Sequence, residues 1–268
     1  MESIVRTARR GAVLEVTLDR PPVNAISLAV SHALHAAFET LRDDPDLRVG
    51  ILTGAGERVF SAGWDMKEVA AAESGAEVND AAVDAPGGVA GLTEFWDLHK
   101  PVIAAVNGVA VGGGFELVLA CDLVVAAEHA EFFLPDMQRG FVADAGGVQV
   151  LPRRLPYNVA VELLLTGRRM GAREAAQWGL VNAVAPAAEV MTRARAMANA
   201  IAEGAPLAVQ ALMEALPALA PLSVQEAFAR TKRGRSGLPA YERMLTSEDF
   251  LEGPRAFAEK RKPVWKGK

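Results

Sequence analysis

Residues 102 to 122 read VIAAVNGVAVGGGFELVLACD, and no other stretch constrains the chain as strongly. The β-branched apolar run from Val102 reads as a buried strand. It passes through Asn107-Gly108 to three successive glycines, Gly112, Gly113 and Gly114. Phe115, Leu117, Val118 and Leu119 then have helical apolar spacing, with the carboxylate of Glu116 just inside the helix. Glycine has no Cβ, so a substrate can lie against bare backbone there. The first N–H groups of a helix lack intrahelical partners and can point at an anion. A receptor for negative charge beside an acid suits an enolate or oxyanion formed next to a proton-transfer group. The segment also admits a purely structural reading, because glycine triplets occur at tight turns and an acid in the first turn complements the helix dipole.

Two glycine-loop chemistries are excluded. Gly112-x-Gly114-x-x ends at Leu117, where a dinucleotide fingerprint needs glycine or alanine. No Gly-Lys-Ser/Thr follows the glycines, so there is no P-loop. The 28 Lys and Arg against 33 Asp and Glu leave a formal charge of -5, which gives no electrostatic case for nucleic acid. With 268 residues, 51% of them hydrophobic, the chain can bury one large domain, with or without a helical appendage. Its single cysteine, Cys121, reads as a small core residue and fits a reducing compartment. The start MESIVRTARRG has no hydrophobic stretch, and no later run reaches membrane-spanning length, so a soluble cytoplasmic protein is expected. His32, His35, His99 and His129 show no metal-ligand pattern, and no metal or other cofactor is expected.

Along the chain, Ala12 to Leu18 alternates as a strand and stops at Asp19-Arg20-Pro21-Pro22. Ser27 is placed to cap a helix whose apolar face carries Val30, Leu34, Phe38 and Leu41. A strand from Val49 to Thr53 follows, running into Gly54-Ala55-Gly56. Residues 71 to 89, rich in Ala, Gly and acids, read as a mobile surface loop, and a short helix up to His99 should precede the strand at Val102. Alternating strands and helices through about residue 185 give a layered α/β core. After Pro186, Val190, Ala194, Met197 and Ile201 mark a helical face, and apolar periodicity continues to about Ala258.

Three further segments belong with the glycine loop: Phe60-Ser61-Ala62-Gly63-Trp64-Asp65-Met66-Lys67, Phe133-Leu134-Pro135-Asp136, and Gly140-Phe141-Val142-Ala143-Asp144-Ala145-Gly146-Gly147. Together with Asp19-Arg20-Pro21, Lys100-Pro101, Thr166-Gly167-Arg168-Arg169-Met170 and Trp178-Gly179-Leu180-Val181-Asn182, they resemble the crotonase (enoyl-CoA hydratase/isomerase) superfamily over nearly the whole chain. The resemblance implies a crotonase-type α/β fold of repeated ββα units in two nearly perpendicular sheets. Residues 1–195 would form this core with the acyl-CoA site, and 196–268 a helical trimerisation region giving a homotrimer or dimer of trimers. FSAGWDMK, PGGVAGLTE (86–94), TGRRMGA and the tail EGPRAFAEKRKPVWKGK resemble more closely the carnitinyl-CoA dehydratase (crotonobetainyl-CoA hydratase) branch.

The resemblance also assigns roles. Backbone N–H groups of Trp64 and Gly113 match the pair that holds the thioester oxygen, where losing one donor costs about 10²–10³ in rate. Glu116 and Asp136 match the two carboxylates that do the proton work in the hydratases. One orients the water or leaving hydroxyl at Cβ, and the other exchanges a proton at Cα. The second position is usually glutamate, so Asp136 is one methylene short, roughly 1.5 Å. Asp144 matches the aspartate of a GxVPD turn used by several isomerases, although Ala143 stands where that turn has proline. A turn-capping role for Asp144 is the alternative. Ala62, Asp65, Met66, Lys67, Gly112, Gly114, Phe141 and Asp144 fall at substrate-binding positions, Lys67 on the phosphate or adenine side. Trp64, Trp96 and Phe141 are candidates to surround a trimethylammonium group, or else core aromatics. Arg255, Lys260, Arg261, Lys262 and Lys266 offer a basic cluster for CoA phosphates, or a solvated surface. The implied reaction is reversible dehydration of L-carnitinyl-CoA to crotonobetainyl-CoA. Alternatives are a general short-chain enoyl-CoA hydratase, an enoyl-CoA isomerase, or a non-catalytic RNA-binding member. Retention of Glu116, two further acids and the glycine framework, with the acidic charge, argues against the last.

Overall fold

Uninterrupted apolar runs, VIAAV and LVVAA, lie at the centre of the larger of two sheets. The computed structural model describes residues 3–71, 85–232, 234 and 236–268. Strands β1 (Val5–Arg10), β2 (Val13–Leu18), β3 (Val49–Gly54), β4 (Val59–Ser61), β5 (Val102–Val106), β6 (Val109–Val111), β7 (Leu123–Ala127), β8 (Glu131–Phe133), β9 (Met170–Gly171) and β10 (Ala183–Ala185) divide between them. The large sheet runs β1-β2-β3-β5-β7-β10 and the small one β4-β6-β8-β9. Every residue of β3 and β5 is buried, as expected where both faces of a parallel sheet are covered. One face carries the helix α1 (Leu28–Asp43), capped by Ser27 accepting from the Val30 N–H at 3.2 Å. Its buried stripe includes Val30, Leu34, Phe38 and Leu41, as the spacing requires. The helix Val190–Ala202 packs on β3, β5 and β7, burying Val190 and Ala194 with Met197 and Ile201 partly covered.

The arrangement repeats. β3 joins the large sheet and β4 the small one, and β5–β6 and β7–β8 do the same. A helix follows each of the first two pairs, α2 (Met66–Ala71) and α3 (Gly113–Ala120). The third continues through a 3₁₀ turn, Asp136–Arg139, to the helix Gly147–Arg154. Because β4, β6 and β8 are parallel, their C-terminal ends share one edge. That edge collects the segments after Ser61, Val111 and Phe133.

Three expectations change. β1 pairs antiparallel with β2 at the sheet edge with only Val5 buried, so its exposed Arg6, Arg9 and Arg10 hide it from a hydrophobicity reading. The loop expected over 71–89 falls largely on 72–84, outside the described residues. Its described stretch, 85–89, is fully exposed only at Pro86. Ala85 and Ala90 are buried, and the Ala90 N–H donates to Ser31 Oγ at 3.0 Å. Gly91, at φ +65°, lies so close to α1 that a Cβ would come within 2.2 Å of the Ser31 carbonyl oxygen. The helix expected up to His99 is replaced by a 3₁₀ turn, Val89–Gly91, and open turns, because Gly87, Gly88, Ala90 and Gly91 all have positive φ.

Helices continue from Pro206 to Ala258. The tail is pinned by Lys266 and Gly267 N–H groups donating to the buried Asp249 carboxylate at 2.7 and 2.8 Å, and by Trp265 Nε1 donating to the Glu203 carbonyl. Leu212, Leu216, Phe228 and Phe257 nevertheless face outward. Among the described residues no helix is long and apolar enough to cross a membrane.

Candidate active site

The shared edge of β4, β6 and β8 aligns two backbone donors. After β4, Ser61 Oγ donates to the Asn24 carbonyl at 2.7 Å and accepts from the Gly63 N–H. The Gly63 carbonyl then accepts from Ile26, while the Asp65 N–H donates to the Ile26 carbonyl, both at 2.7 Å. Trp64 lies between these bonds, and its N–H has no acceptor among the described residues. Across from it Gly112, at φ +51°, caps α3, and the N–H of Gly113 is likewise unaccepted. A methyl group on Gly113 would stand 3.5 Å from the Trp64 nitrogen, and one on Gly63 would stand 2.9 Å from the Gly113 nitrogen. The two donors are therefore side by side, and Gly63, at φ +79°, keeps them so. Gly114 has a packing reason as well, since a Cβ there would meet the Ser61 carbonyl oxygen at 2.3 Å.

Three acids lie beyond the donors. Glu116, only 4% exposed, accepts at Oε1 from the N–H groups of Ala145 and Gly147 at 2.9 and 3.0 Å. Burial pushes its carboxyl up to about 7, with the charges of Asp136 and Asp144 adding to the rise and the two N–H bonds opposing it. Asp136 enters from the turn after β8. Its carboxylate would be 3.8 Å from a methyl group on Gly112, and its Oδ2 is buried without a partner. Burial raises its pKa too, against the pull of Arg139. A buried carboxylate oxygen with no donor is costly unless something outside the chain meets it. Asp144 is exposed, and its side chain makes no hydrogen bond or ion pair among the described residues, so it caps no turn. Paired N–H donors, one carboxyl poised near neutrality and a second with an open oxygen can hold a developing oxyanion and move protons beside it.

A family model described as enoyl-CoA hydratase/isomerase matches residues 8–268. The chain belongs to the enoyl-CoA hydratase/isomerase family. It is 54% identical over 269 residues to a carnitinyl-CoA dehydratase of Proteus mirabilis, with 100% of each chain covered. It is 52% identical over 268 residues to that of Salmonella typhi, again with 100% of both covered. Among solved structures, an enoyl-CoA hydratase from Mycobacterium tuberculosis superposes with a TM-score of 0.88 at 39% identity over 100% of both chains. One from Bacillus anthracis gives 0.90 at 35%, covering 99% of this chain and 100% of that one. The ββα repeat is thus this family's fold.

The remaining candidates separate. Asp65 is held by Arg20 Nη2 at 2.7 Å and accepts from the Lys67 N–H, which keeps its carboxyl below the usual range. It anchors the turn into α2, next to Ala62, whose own N–H donates to the Val23 carbonyl. Met66 and Lys67 are exposed at that turn, and Phe141 is 42% exposed between Asp136 and Asp144. Trp64 packs its ring partly against the core. Trp96 is neither core nor near these groups. It is 80% exposed, and its neighbours Phe95 and Asp97 both contact Arg42 at the far end of α1. The rise of α1 puts that end about 20 Å from Ile26 and Trp64. In the basic tail, Arg261 is paired to Glu252 and Glu259 and Lys266 to Glu248, while Arg255, Lys260 and Lys262 stay exposed. Burial pushes the Cys121 thiol up, away from nucleophilic use. Among the described residues no group of three or more His, Cys, Asp or Glu is arranged for a metal ion. Sequence reasoning missed the Ala145 and Gly147 N–H groups as the brace of Glu116. Its one trace was the glycine pair after Asp144.

Proposed function

We propose that this chain is a lyase that reversibly hydrates an α,β-unsaturated acyl-CoA thioester, and that its substrate pair is L-carnitinyl-CoA and crotonobetainyl-CoA. The observation that carries the reading is the unaccepted Trp64 and Gly113 N–H pair set before a buried Glu116 with its carboxyl near 7. In dehydration the thioester oxygen accepts from both N–H groups, so charge arriving as the Cα–H bond breaks settles on an oxygen already held. The Cα proton passes to a carboxylate, the Cβ–O bond breaks, and the departing hydroxyl takes a proton and leaves as water. Glu116 and Asp136 divide these two tasks, and the partnerless Asp136 Oδ2 is free to hold the hydroxyl or water. The carnitine assignment is supported by relatives of that name at 52–54% identity over full length.

In the same reading residues 1–195 carry the site. The helices of 196–268 supply the contact between copies in a trimer or dimer of trimers, supported by outward Leu212, Leu216, Phe228 and Phe257. CoA enters only as part of the substrate, with no separate cofactor, and the compartment is the cytoplasm. The test compares kcat/KM of the purified protein for crotonobetainyl-CoA and crotonyl-CoA. At least a tenfold preference for the former is expected. Equal or inverted values would remove the carnitine assignment and leave hydration standing.

A further inference from the structure

Resting on that reading, we propose that Asp144 is the specificity-determining residue for a cationic acyl chain, its carboxylate serving as counter-charge to the trimethylammonium group. A quaternary ammonium has no N–H to donate, so it is recognised by charge and by aromatic faces rather than by hydrogen-bond geometry. The aromatic candidates divide poorly for that task. Trp96 sits at the other end of α1, the Trp64 ring is partly committed to the core, and Phe141 alone stands in the same loop as the acids.

The acids differ in their commitments. Glu116 is braced by two N–H groups and buried, and Asp65 is neutralised by Arg20. Asp136 keeps one oxygen in the protein interior. Asp144 alone of the group is exposed with an uncommitted side chain, and it directly precedes Ala145, whose N–H holds Glu116. Its charge is felt by both Glu116 and Asp136, and Arg139 is the opposing cation felt by Asp136. Even with Glu116 only partly ionised near pH 7, the acids outnumber the one arginine and leave this mouth negative, which suits a cation. The substrate delivers one there. Its nitrogen lies two bonds beyond Cβ, where one of the Glu116–Asp136 pair acts, about 2.5 Å away.

The test measures kcat/KM for crotonobetainyl-CoA and crotonyl-CoA in the wild type, Asp144→Asn and Asp144→Glu. For a charge pair about 6 Å apart in a partly hydrated mouth, Asp144→Asn should cut the ratio of charged to neutral substrate about tenfold, mainly through KM. Asp144→Glu should hold the ratio within threefold of the wild type. A ratio that moves less than threefold in Asp144→Asn overturns the proposal, whether both substrates fall together, which would place Asp144 in the proton chemistry, or neither falls. Those results leave the carnitine assignment intact. A wild type with no preference for the charged substrate instead sinks that assignment, and this proposal with it.

Discussion

The two sheets divide the labour unequally. The large one has six strands of up to six residues, with β3 and β5 buried throughout, and its contribution is a rigid apolar frame. The small one has four strands of two or three residues, and every group of the candidate site hangs from three of its ends. Frame residues act through volume, whereas site residues act through backbone direction. A frame position tolerates any well-fitting hydrophobe, at an energetic cost set by cavity size. A position such as Gly63 tolerates almost nothing, because its φ of +79° and the Val111 carbonyl at 2.5 Å from a would-be Cβ leave no room.

Matched substitutions would break this comparison most visibly. Gly63→Ala should lower kcat/KM for enoyl-CoA hydration by about 10²–10³, since it displaces the Trp64–Gly113 donor pair. Leu52→Ala, in fully buried β3, should cost about 2–5 kcal/mol in denaturant unfolding and leave kcat/KM within about threefold well below its melting temperature. If Leu52→Ala were the more severe lesion in kcat/KM, the division between frame and site would fail. A smaller effect sharpens the account within the site. Asp136→Asn should lower kcat about a hundredfold. It should also move the pH limb of kcat/KM assigned to Glu116 downward from about 7, because removing a neighbouring negative charge favours the ionised form. Asp144→Asn should move the limb less. A limb that stays fixed or rises in Asp136→Asn would show that the two carboxyls are not coupled.

The same contrast explains what could be read from sequence. The strand at Val102, the Ser27 cap and the Val30-Leu34-Phe38-Leu41 face were legible because burial on one or both sides imposes a hydrophobic pattern. β1 was not, since an edge strand with Arg6, Arg9 and Arg10 outward carries no such pattern. The turn at Gly87–Gly91 looked like a loose loop because close packing against α1 is achieved there by deleting side chains, which composition alone cannot distinguish from flexibility. Glu116 was legible through its place after the glycine triplet. Its brace was not, as backbone N–H groups belong to every residue type and leave no signature of their own. Trp96 shows the converse, an aromatic whose identity suggested a ligand contact while its place in the chain sends it to the other end of α1.

In the proposed mechanism Glu116 moves a proton beside the paired donors, and Glu116→Gln tests this directly. The substitution keeps the volume and an oxygen to accept from Ala145 and Gly147, while removing the titrating group. Measured at pH 7 with a saturating enoyl-CoA, kcat should fall by at least about 10³ while the Kd for the thioester stays within about threefold. A Gln variant that keeps kcat within tenfold of the wild type would contradict the assignment of proton transfer to Glu116.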